Sequence, residues 1–167
     1  MNIVLFGSGG QAKIIIDIIQ RVRKDTLIGI ITEKDILEGQ VHGVPIIGND
    51  NDLPSLSKKL GFNHGIIGVY DNFVRHAIKD RIIDLLPDFE FVPAIHPQAS
   101  ISSSAQIGAG TVVMGGVTIN ADCRIGQHCI VNTNSSVDHD CVMSNWSSIG
   151  PGVNLGGNVK IGELSYV

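Results

Sequence analysis

The stretch that decides the fold covers residues 119–149 and reads INADCRIGQHCIVNTNSSVDHDCVMSNWSSI. An aliphatic side chain returns at every sixth position of this stretch, at Ile119, Ile125, Val131, Val137, Met143 and Ile149. When the same step is extended from residue 95 to residue 167, all 13 positions are aliphatic. A period of six fits neither the 3.6-residue turn of a helix nor the two-residue alternation of a strand. It predicts a prism with one short strand on each flat side and large aliphatic side chains inside.

A second inward position lies four residues after each aliphatic one, and it holds only small or medium-sized uncharged residues. The three cysteines of the chain, Cys123, Cys129 and Cys141, all occupy this position. We therefore interpret them as core packing rather than as metal ligands or redox groups. Glycine directly follows the aliphatic residue in five rungs, and we expect tight corners with positive φ there, at Gly108, Gly126, Gly150, Gly156 and Gly162.

The chain before this repeat has a different character. Of the 12 Lys and Arg and 16 Asp and Glu residues, only six lie after residue 95. Two domains are therefore expected, with residues 1–94 in the first and residues 95–167 in the second. Strands and helices alternate in the first, which predicts a small parallel α/β sheet. The strands are expected at Asn2–Phe6, Leu27–Thr32, Gly65–Tyr70 and Phe89–Ile95. The helices are expected up to about Arg23, near Pro54–Leu60 and, capped by Asp71, up to about Leu86.

The last of these helices should pack through one apolar face. That face comprises Phe73, Ala77, Ile78, Ile82 and Leu85. After the second strand, a polar loop is expected to lead to Gly43-Val44-Pro45-Ile46-Ile47-Gly48 and then to the second helix.

A glycine-rich turn joins the first predicted strand to the first helix. It reads Gly7-Ser8-Gly9-Gly10-Gln11-Ala12, a G-x-G-x-x-A pattern in the strand–helix context that dinucleotide sites require. Backbone N–H groups at such a helix start favour a phosphate, and Glu33 lies where a ribose-binding acid would follow the second strand. Because this domain supplies only half of a dinucleotide fold, a mononucleotide or nucleotide-sugar fits better than NAD. A tight turn without a ligand is the alternative.

The densest polar cluster of the repeat is Asn132-Thr133-Asn134-Ser135-Ser136-Val137-Asp138-His139-Asp140-Cys141. The six-residue register points Val137 and Cys141 inward, which places Asp138-His139-Asp140 at a corner that faces outward. A histidine that is neutral near pH 7 suits general-base chemistry, and a neighbouring carboxylate can orient its ring and raise its basicity. From the spacing alone, an exposed histidine with no function is an equally good interpretation.

Composition excludes several classes of protein. A net charge of −4 is unlike the basic surface of a nucleic-acid binder. The most apolar stretch, Ile14–Ile19, is interrupted by Asp17 and is too short to span a bilayer, and no signal peptide is apparent. An odd number of cysteines without CxxC spacing indicates a reduced, cytoplasmic setting.

The repeat resembles that of the hexapeptide-repeat acyltransferases, whose left-handed parallel β-helix takes three rungs per coil. An ordered set of motifs narrows the resemblance to the sialic acid O-acetyltransferases and nucleotide-4-amino-sugar N-acetyltransferases, and it covers essentially the whole chain. The set is Gly7-Ser8-Gly9-Gly10-Gln11-Ala12-Lys13, Gly43-Val44-Pro45, Asp71-Asn72-Phe73-Val74-Arg75, His96-Pro97 and Val137-Asp138-His139-Asp140-Cys141. The resemblance implies about four coils of three rungs each, a homotrimer, and acetyl transfer from acetyl-CoA to a sugar without a metal.

The same resemblance implies roles for individual residues. His139 would be the general base, Asp140 its orienting acid, and Asn132 an active-site asparagine. Gly157, which stacks on His139 one coil later, would contact the acetyl-CoA thioester or amide arm, and Ser148 stands where some relatives carry a second histidine near CoA. The nucleotide-sugar would contact the residues Gly7, Ser8, Gly9, Gly10, Glu33, Asn72 and Arg75.

Some features depart from the family pattern. Gln11 and Tyr70 replace a more usual His and Gly, and the repeat ends about one and a half coils after His139. We therefore expect that the natural protein continues beyond Val167, or that its CoA site is incomplete. The choice between N- and O-acetylation is left open.

Two other classes of protein share parts of this pattern. A zinc lyase of the γ-carbonic anhydrase type shares the prism, but it needs three converging histidines, and here His128 and His139 fall at different rung positions. A non-catalytic nucleotide-sugar-binding or assembly protein is the other alternative.

Overall fold

A computed structural model describes residues 1–22, 24–33 and 39–167. The chain divides into two compact units, Met1–Val92 and Pro93–Val167. The predicted end of the first helix at about Arg23 lies outside the described residues.

In its described residues, the first unit is an α/β sheet with three α-helices. Its elements in chain order are β1 Asn2–Phe6, α1 Gly10–Val22, β2 Thr26–Thr32, β3 Gln40–Val41, β4 Val44–Asn49, a 3₁₀ turn Asp50–Asp52, α2 Leu53–Leu60, β5 His64–Ile67, α3 Asn72–Leu85 and β6 Glu90–Phe91. The sheet order is β3-β4-β2-β1-β5-β6, and all pairs are parallel except β3 with β4. The sheet is thus mixed rather than wholly parallel as predicted.

The antiparallel pair is a hairpin whose two strands were not among the predicted ones. His42 and Gly43 connect β3 to β4 with φ angles of 47° and 80°. Two successive positive φ values are typical of the type I′ turn, whose twist matches that of antiparallel strands. Val44 therefore pairs with Val41 across the hairpin.

The apolar face predicted for α3 is only partly correct. Asp71 caps this helix as expected, because its carboxylate accepts from the Val74 N–H at 2.9 Å. Ile82 is buried in a cluster with Val4 and Phe6 of β1. Phe73, however, is 67% exposed, and Ala77 and Leu85 are exposed as well, because the buried side of the helix follows Arg75, Ile78 and Ile82 instead.

The last predicted strand of the first unit, Phe89–Ile95, is shorter and interrupted. It consists of β6 and a separate two-residue strand, Ala94–Ile95, that belongs to the second unit. Phe89 is buried before β6 and packs edge-on against Phe6, with ring centroids 5.6 Å apart.

The second unit is a left-handed parallel β-helix, as predicted. Its strands have two residues each: β7 Ala94–Ile95, β8 Ser100–Ile101, β9 Gln106–Ile107, β10 Val112–Val113, β11 Thr118–Ile119, β12 Arg124–Ile125, β13 Ile130–Val131, β14 Ser136–Val137, β15 Val142–Met143, β16 Ser148–Ile149, β17 Asn154–Leu155 and β18 Lys160–Ile161. They form three four-stranded sheets, ordered β16-β13-β10-β7, β17-β14-β11-β8 and β18-β15-β12-β9. Each strand of the first three coils pairs with the strand one coil later, as Val113 does with Val131. Every second strand residue from Val113 to Ile161 is buried, so these aliphatic side chains form the core.

The corners of this β-helix follow their own six-residue series. Positive φ angles occur at Gly110, Gly116, Asp122, His128, Asn134, Asp140, Trp146, Gly152, Asn158 and Leu164. Hydrogen bonds to the preceding coil help to hold this conformation: the Asp140 N–H donates to Ala121 O at 3.0 Å, and the Asn158 N–H to His139 O at 2.9 Å.

The expectation that the first corner residue, such as Gly108, has positive φ was therefore wrong. The left-handed residue comes two positions later. Glycine at 108 serves close packing instead, because a Cβ there would lie 2.5 Å from the carbonyl carbon of Gly126 in the next coil.

All three cysteines are buried inside the β-helix. Their thiols donate to backbone carbonyls: Cys123 to Asp138 O at 2.9 Å, Cys129 to Ser144 O at 3.2 Å and Cys141 to Gly156 O at 3.1 Å. Burial is the main cause that raises the pKa of the Cys123 thiol. These cysteines therefore act as small core residues.

Candidate active site

The corner between β14 and β15 carries an exposed histidine–carboxylate pair. His139 Nδ1 and Asp140 Oδ2 lie 2.8 Å apart, and slightly more than half of each side chain is exposed. Asp140 reaches the imidazole because its own backbone has φ 59°, which turns the chain sharply after His139. When the ionised carboxylate accepts the Nδ1 proton, the lone pair of the neutral ring lies on Nε2.

A second carboxylate lies on the other side of His139 in the chain. Asp138 Oδ1 accepts from the backbone N–H of His139 at 2.8 Å and from Asn120 Nδ2 at 2.9 Å. The hydrogen bond to Asp140 raises the pKa of His139 above its ordinary value, and the charges of Asp138 and Asp140 add to this effect. The imidazole is thus a stronger base than an isolated one.

Gly157 lies against the imidazole ring. It occupies the corner of the following coil, directly in stack with His139. A Cβ at Gly157 would lie 2.7 Å from both Cε1 and Nε2 of His139, closer than real Cβ contacts come. Only glycine therefore leaves the ring in the place where its Nδ1 meets Asp140.

The structure does not bring Asn132 and Ser148 to this corner. Asn132 follows β13 and lies on the preceding corner of the same coil, where it is 6% exposed and accepts from the Thr133 N–H at 2.8 Å. Ser148 begins β16 on a different sheet and is fully buried.

The first unit has a pocket at the carboxyl ends of its central strands. It measures ≈180 Å³ and is lined by Phe6, Gly7, Ile31, Thr32, Glu33, Asp50, Val69, Val74, Ala77, Ile78 and Arg81. Ligands of open α/β sheets bind at this edge, in the crevice outside the strand ends. Of the residues predicted to bind substrate, Gly7 and Glu33 line this pocket.

The glycine turn beside the pocket has two different parts. Gly7 has φ 102°, and a Cβ there would come within 3.1 Å of Gly68 O, so the turn itself needs glycine. Gly9 and Gly10 face open space, with no atom within 4 Å of an added Cβ. With Ser8 between them and Gly7, they lead into the N-terminus of helix α1, where N–H groups without helical partners favour an anion.

Asn72 and Arg75 lie together at the start of α3. Arg75 is 1% exposed and donates to Val69 O at 3.1 Å, to Tyr70 O at 2.8 Å and to Asn72 Oδ1 at 2.7 Å. The guanidinium therefore holds the turn between β5 and α3.

Several residues around these two sites were not identified from the sequence. Asn120, which stacks on Asp138 from the preceding coil, could have been found from the coil length. Asp50 and Arg81, which form an ion pair at the pocket, lie far apart in the chain and have no shared motif that could have indicated them.

Within the described residues, no group of three or more His, Cys, Asp or Glu side chains could hold a metal ion. None of the helices in that part of the chain is long and apolar enough to cross a membrane.

Comparison with known proteins gives matches along the whole chain. The family model of the PglD N-terminal domain matches residues 2–82. The GDP-perosamine N-acetyltransferase of Escherichia coli O157:H7 is 25% identical over 167 residues, which cover 98% of this chain and 73% of the relative.

Two solved structures are more similar in sequence. The first is a histidine-to-asparagine mutant of perosamine N-acetyltransferase from Caulobacter crescentus in complex with CoA and GDP-perosamine. It has 36% identity and a TM-score of 0.91, over 99% of this chain and 76% of that one. The second, the acetyltransferase domain of PglB from Neisseria gonorrhoeae FA1090 in complex with acetyl coenzyme A, has 34% identity and a TM-score of 0.87, over 99% and 78%.

Proposed function

The chain belongs to the family of left-handed β-helix sugar acetyltransferases that includes these relatives, and we propose that it N-acetylates a nucleotide-linked amino sugar. It is an acetyl-CoA-dependent sugar acetyltransferase, with acetyl-CoA as co-substrate. The finer assignment, to the amino group of a GDP-linked sugar, is supported by the GDP-perosamine enzymes among its relatives. The observation that carries the proposal is the exposed His139–Asp140 pair seated on Gly157.

The proposed reaction is direct transfer. The amino nitrogen of the sugar attacks the thioester carbonyl, a C–N bond forms, and the C–S bond breaks. Nε2 of His139 accepts the proton that the amine loses and passes it to the departing CoA thiolate. Asp140 keeps the imidazole in the tautomer that has its lone pair on Nε2 and stabilises the imidazolium. The backbone N–H of Gly157 is proposed to contact the thioester or the amide arm.

We assign the nucleotide to the first unit. The N-terminus of α1, with open space beside Gly9 and Gly10, suits the diphosphate, with Gly7 and Ser8 completing the turn. The apolar lining of the neighbouring pocket suits a nucleobase, and Glu33 at its rim suits ribose hydroxyls or base N–H groups. Asn72 and Arg75 are proposed to act near the sugar by fixing the turn before α3.

A homotrimer is proposed as well. Within one prism, Asn132 and His139 lie on different corners, so a second copy would have to supply Asn132 to the His139 of the first. Light scattering on the purified protein tests the mass, and a monomer that retains full activity would contradict the proposal.

We further propose a cytoplasmic location, in keeping with three reduced thiols and a CoA thioester substrate. The contact of Ser148 with CoA stays a prediction. Burial speaks against it, because it leaves the Ser148 hydroxyl little open surface.

The decisive experiment follows CoA release from acetyl-CoA with GDP-perosamine as acceptor. We expect turnover in the wild type, with an N-acetylated product by mass spectrometry, and loss of at least a hundredfold in kcat/KM for His139→Ala. His76→Ala is the matched control, because His76 Nδ1 also lies near a carboxylate, 3.5 Å from Asp80, on the exposed side of α3. Nucleotide-sugar binding without turnover would favour the non-catalytic alternative, and transfer to a hydroxyl would overturn the assignment to the amine.

A further inference from the structure

The carboxylate of Asp138 is held from another coil of the β-helix. Its Oδ1 accepts two hydrogen bonds, one from the backbone N–H of His139 at 2.8 Å and one from Asn120 Nδ2 at 2.9 Å. The backbone of Asp138 is fixed separately, because its N–H donates to Leu155 O at 3.1 Å and its carbonyl accepts the Cys123 thiol at 2.9 Å. The Asn120 amide is thus the cross-coil contact that acts on the side chain.

We propose that Asn120 is a positioning residue for acetyl transfer, which holds the carboxylate of Asp138 beside His139. This inference rests on the proposed role of His139 as the base. A side-chain amide N–H can only donate, so it favours the ionised form of the carboxylate it contacts. Asn120 therefore fixes both the position and the negative charge of the Asp138 carboxylate.

The arrangement of charges around the imidazole explains why the position of the Asp138 carboxylate affects the basicity of His139. Asp138 and Asp140 flank the ring on its own corner, and Asp122 occupies the stacked corner one coil earlier. The stacked corner one coil later, residues 156–158, contains only uncharged residues. Asp140 bonds Nδ1 directly, whereas Asp138 acts on the ring through its charge. An imidazole beside two fixed anions is a stronger base than one beside a single anion.

The side chain of Asn120 can be removed without breaking the coil. Its backbone N–H donates to Val137 O at 2.9 Å, which preserves the ladder between β11 and β14 whatever the side chain is. The side chain itself is exposed and contributes to no core cluster among the described residues. An effect of its removal on catalysis therefore reports on Asp138 and His139 rather than on the fold.

The first test compares Asn120→Ala with Asn154→Ala. Asn154 is a matched control, because it also makes a side-chain bond between successive coils, from Ser136 Oγ to Asn154 Oδ1 at 2.6 Å, away from the corner. For Asn120→Ala we expect a three- to tenfold loss, roughly, in kcat/KM and an acid limb that moves to lower pH, because a less basic imidazole loses its proton sooner. The control should keep the wild-type profile.

The second test repeats the substitution in an Asp138→Ala background. If Asn120 acts through this carboxylate, the double variant should match Asp138→Ala alone. An NMR titration of the His139 Cε1 proton adds a readout that needs no turnover, and Asn120→Ala should lower the pKa of His139. An unchanged titration, or an equal loss in the Asp138→Ala background, overturns the inference. A wild type that binds amino-sugar nucleotides but transfers no acetyl group overturns the proposed function, while the titration still decides the role of Asn120.

Discussion

The contact between Gly157 and His139 permits a substitution that perturbs the base without replacing it. A Cβ at Gly157 would lie 2.7 Å from Cε1 and Nε2, whereas ordinary contacts begin near 3.4 Å. The ring must therefore retreat by about 0.7 Å, the difference between these two distances. Since Nδ1 is held by Asp140 at 2.8 Å, that shift stretches or bends the orienting hydrogen bond. Misplacement by about 1 Å can cost about a hundredfold in rate, so we expect Gly157→Ala to lose roughly ten- to a hundredfold in kcat.

The neighbouring glycine supplies the control for this experiment. Gly156 has no atom within 4 Å of an added Cβ, and neither residue has positive φ. Gly156→Ala therefore makes the same change in unfolded-chain entropy without moving the imidazole. Both variants should unfold within a few degrees of the wild type, because the ring can move into solvent, and CoA release should be impaired only in Gly157→Ala. Equal activity of the two variants would refute the view that Gly157 seats the base.

Three further predictions concern other parts of the structure. Asp140→Asn should move the acid limb of kcat/KM to lower pH and reduce kcat at least about tenfold, because the neutral amide no longer raises the pKa of His139. An unchanged pH profile would show that the Asp140 carboxylate does not orient the base. Gly108→Ala should reduce the free energy of unfolding by about 2–4 kcal/mol in urea titrations, since the added Cβ meets rigid backbone of Gly126 at 2.5 Å. An unchanged free energy of unfolding would mean that the coils can separate at this corner. Thiol reagents should label the folded protein very slowly and the unfolded protein fully, because burial protects all the thiols; rapid labelling of the native chain would contradict this for one or more of Cys123, Cys129 and Cys141.

The β-helix was predictable from the sequence because its core depends on one position in six. A single aliphatic residue per rung is enough to specify the inward face, so the series from Val113 to Ile161 could be read directly. The corners were not predictable in the same way. Positive φ at Trp146 is held in place by a hydrogen bond between coils, which residue preferences do not reveal. Most of the other left-handed positions, Asp140 among them, hold Gly, Asn or Asp, and this preference is a signal that the prediction overlooked.

In the first unit, local signals sufficed where they were strong. The Asp71 cap and the glycine turn were both identified. The β3–β4 hairpin was overlooked because its turn is His42-Gly43 rather than the more familiar Asn-Gly. The pocket could not be predicted in full, since residues such as Asp50 and Arg81 come together only through the order of the strands.

The stacking of each residue on its counterpart in the next coil also constrains how the length of such a chain can vary. A gain or loss of one whole coil inside the repeat returns every later side chain to its original face, so the His139 corner and its neighbours keep their orientation. A gain or loss of a single rung preserves the inward aliphatic pattern, but it moves every later corner to the next edge of the prism. A change of one position would turn the core outward. Length variation that keeps the site intact is therefore expected to occur in whole coils.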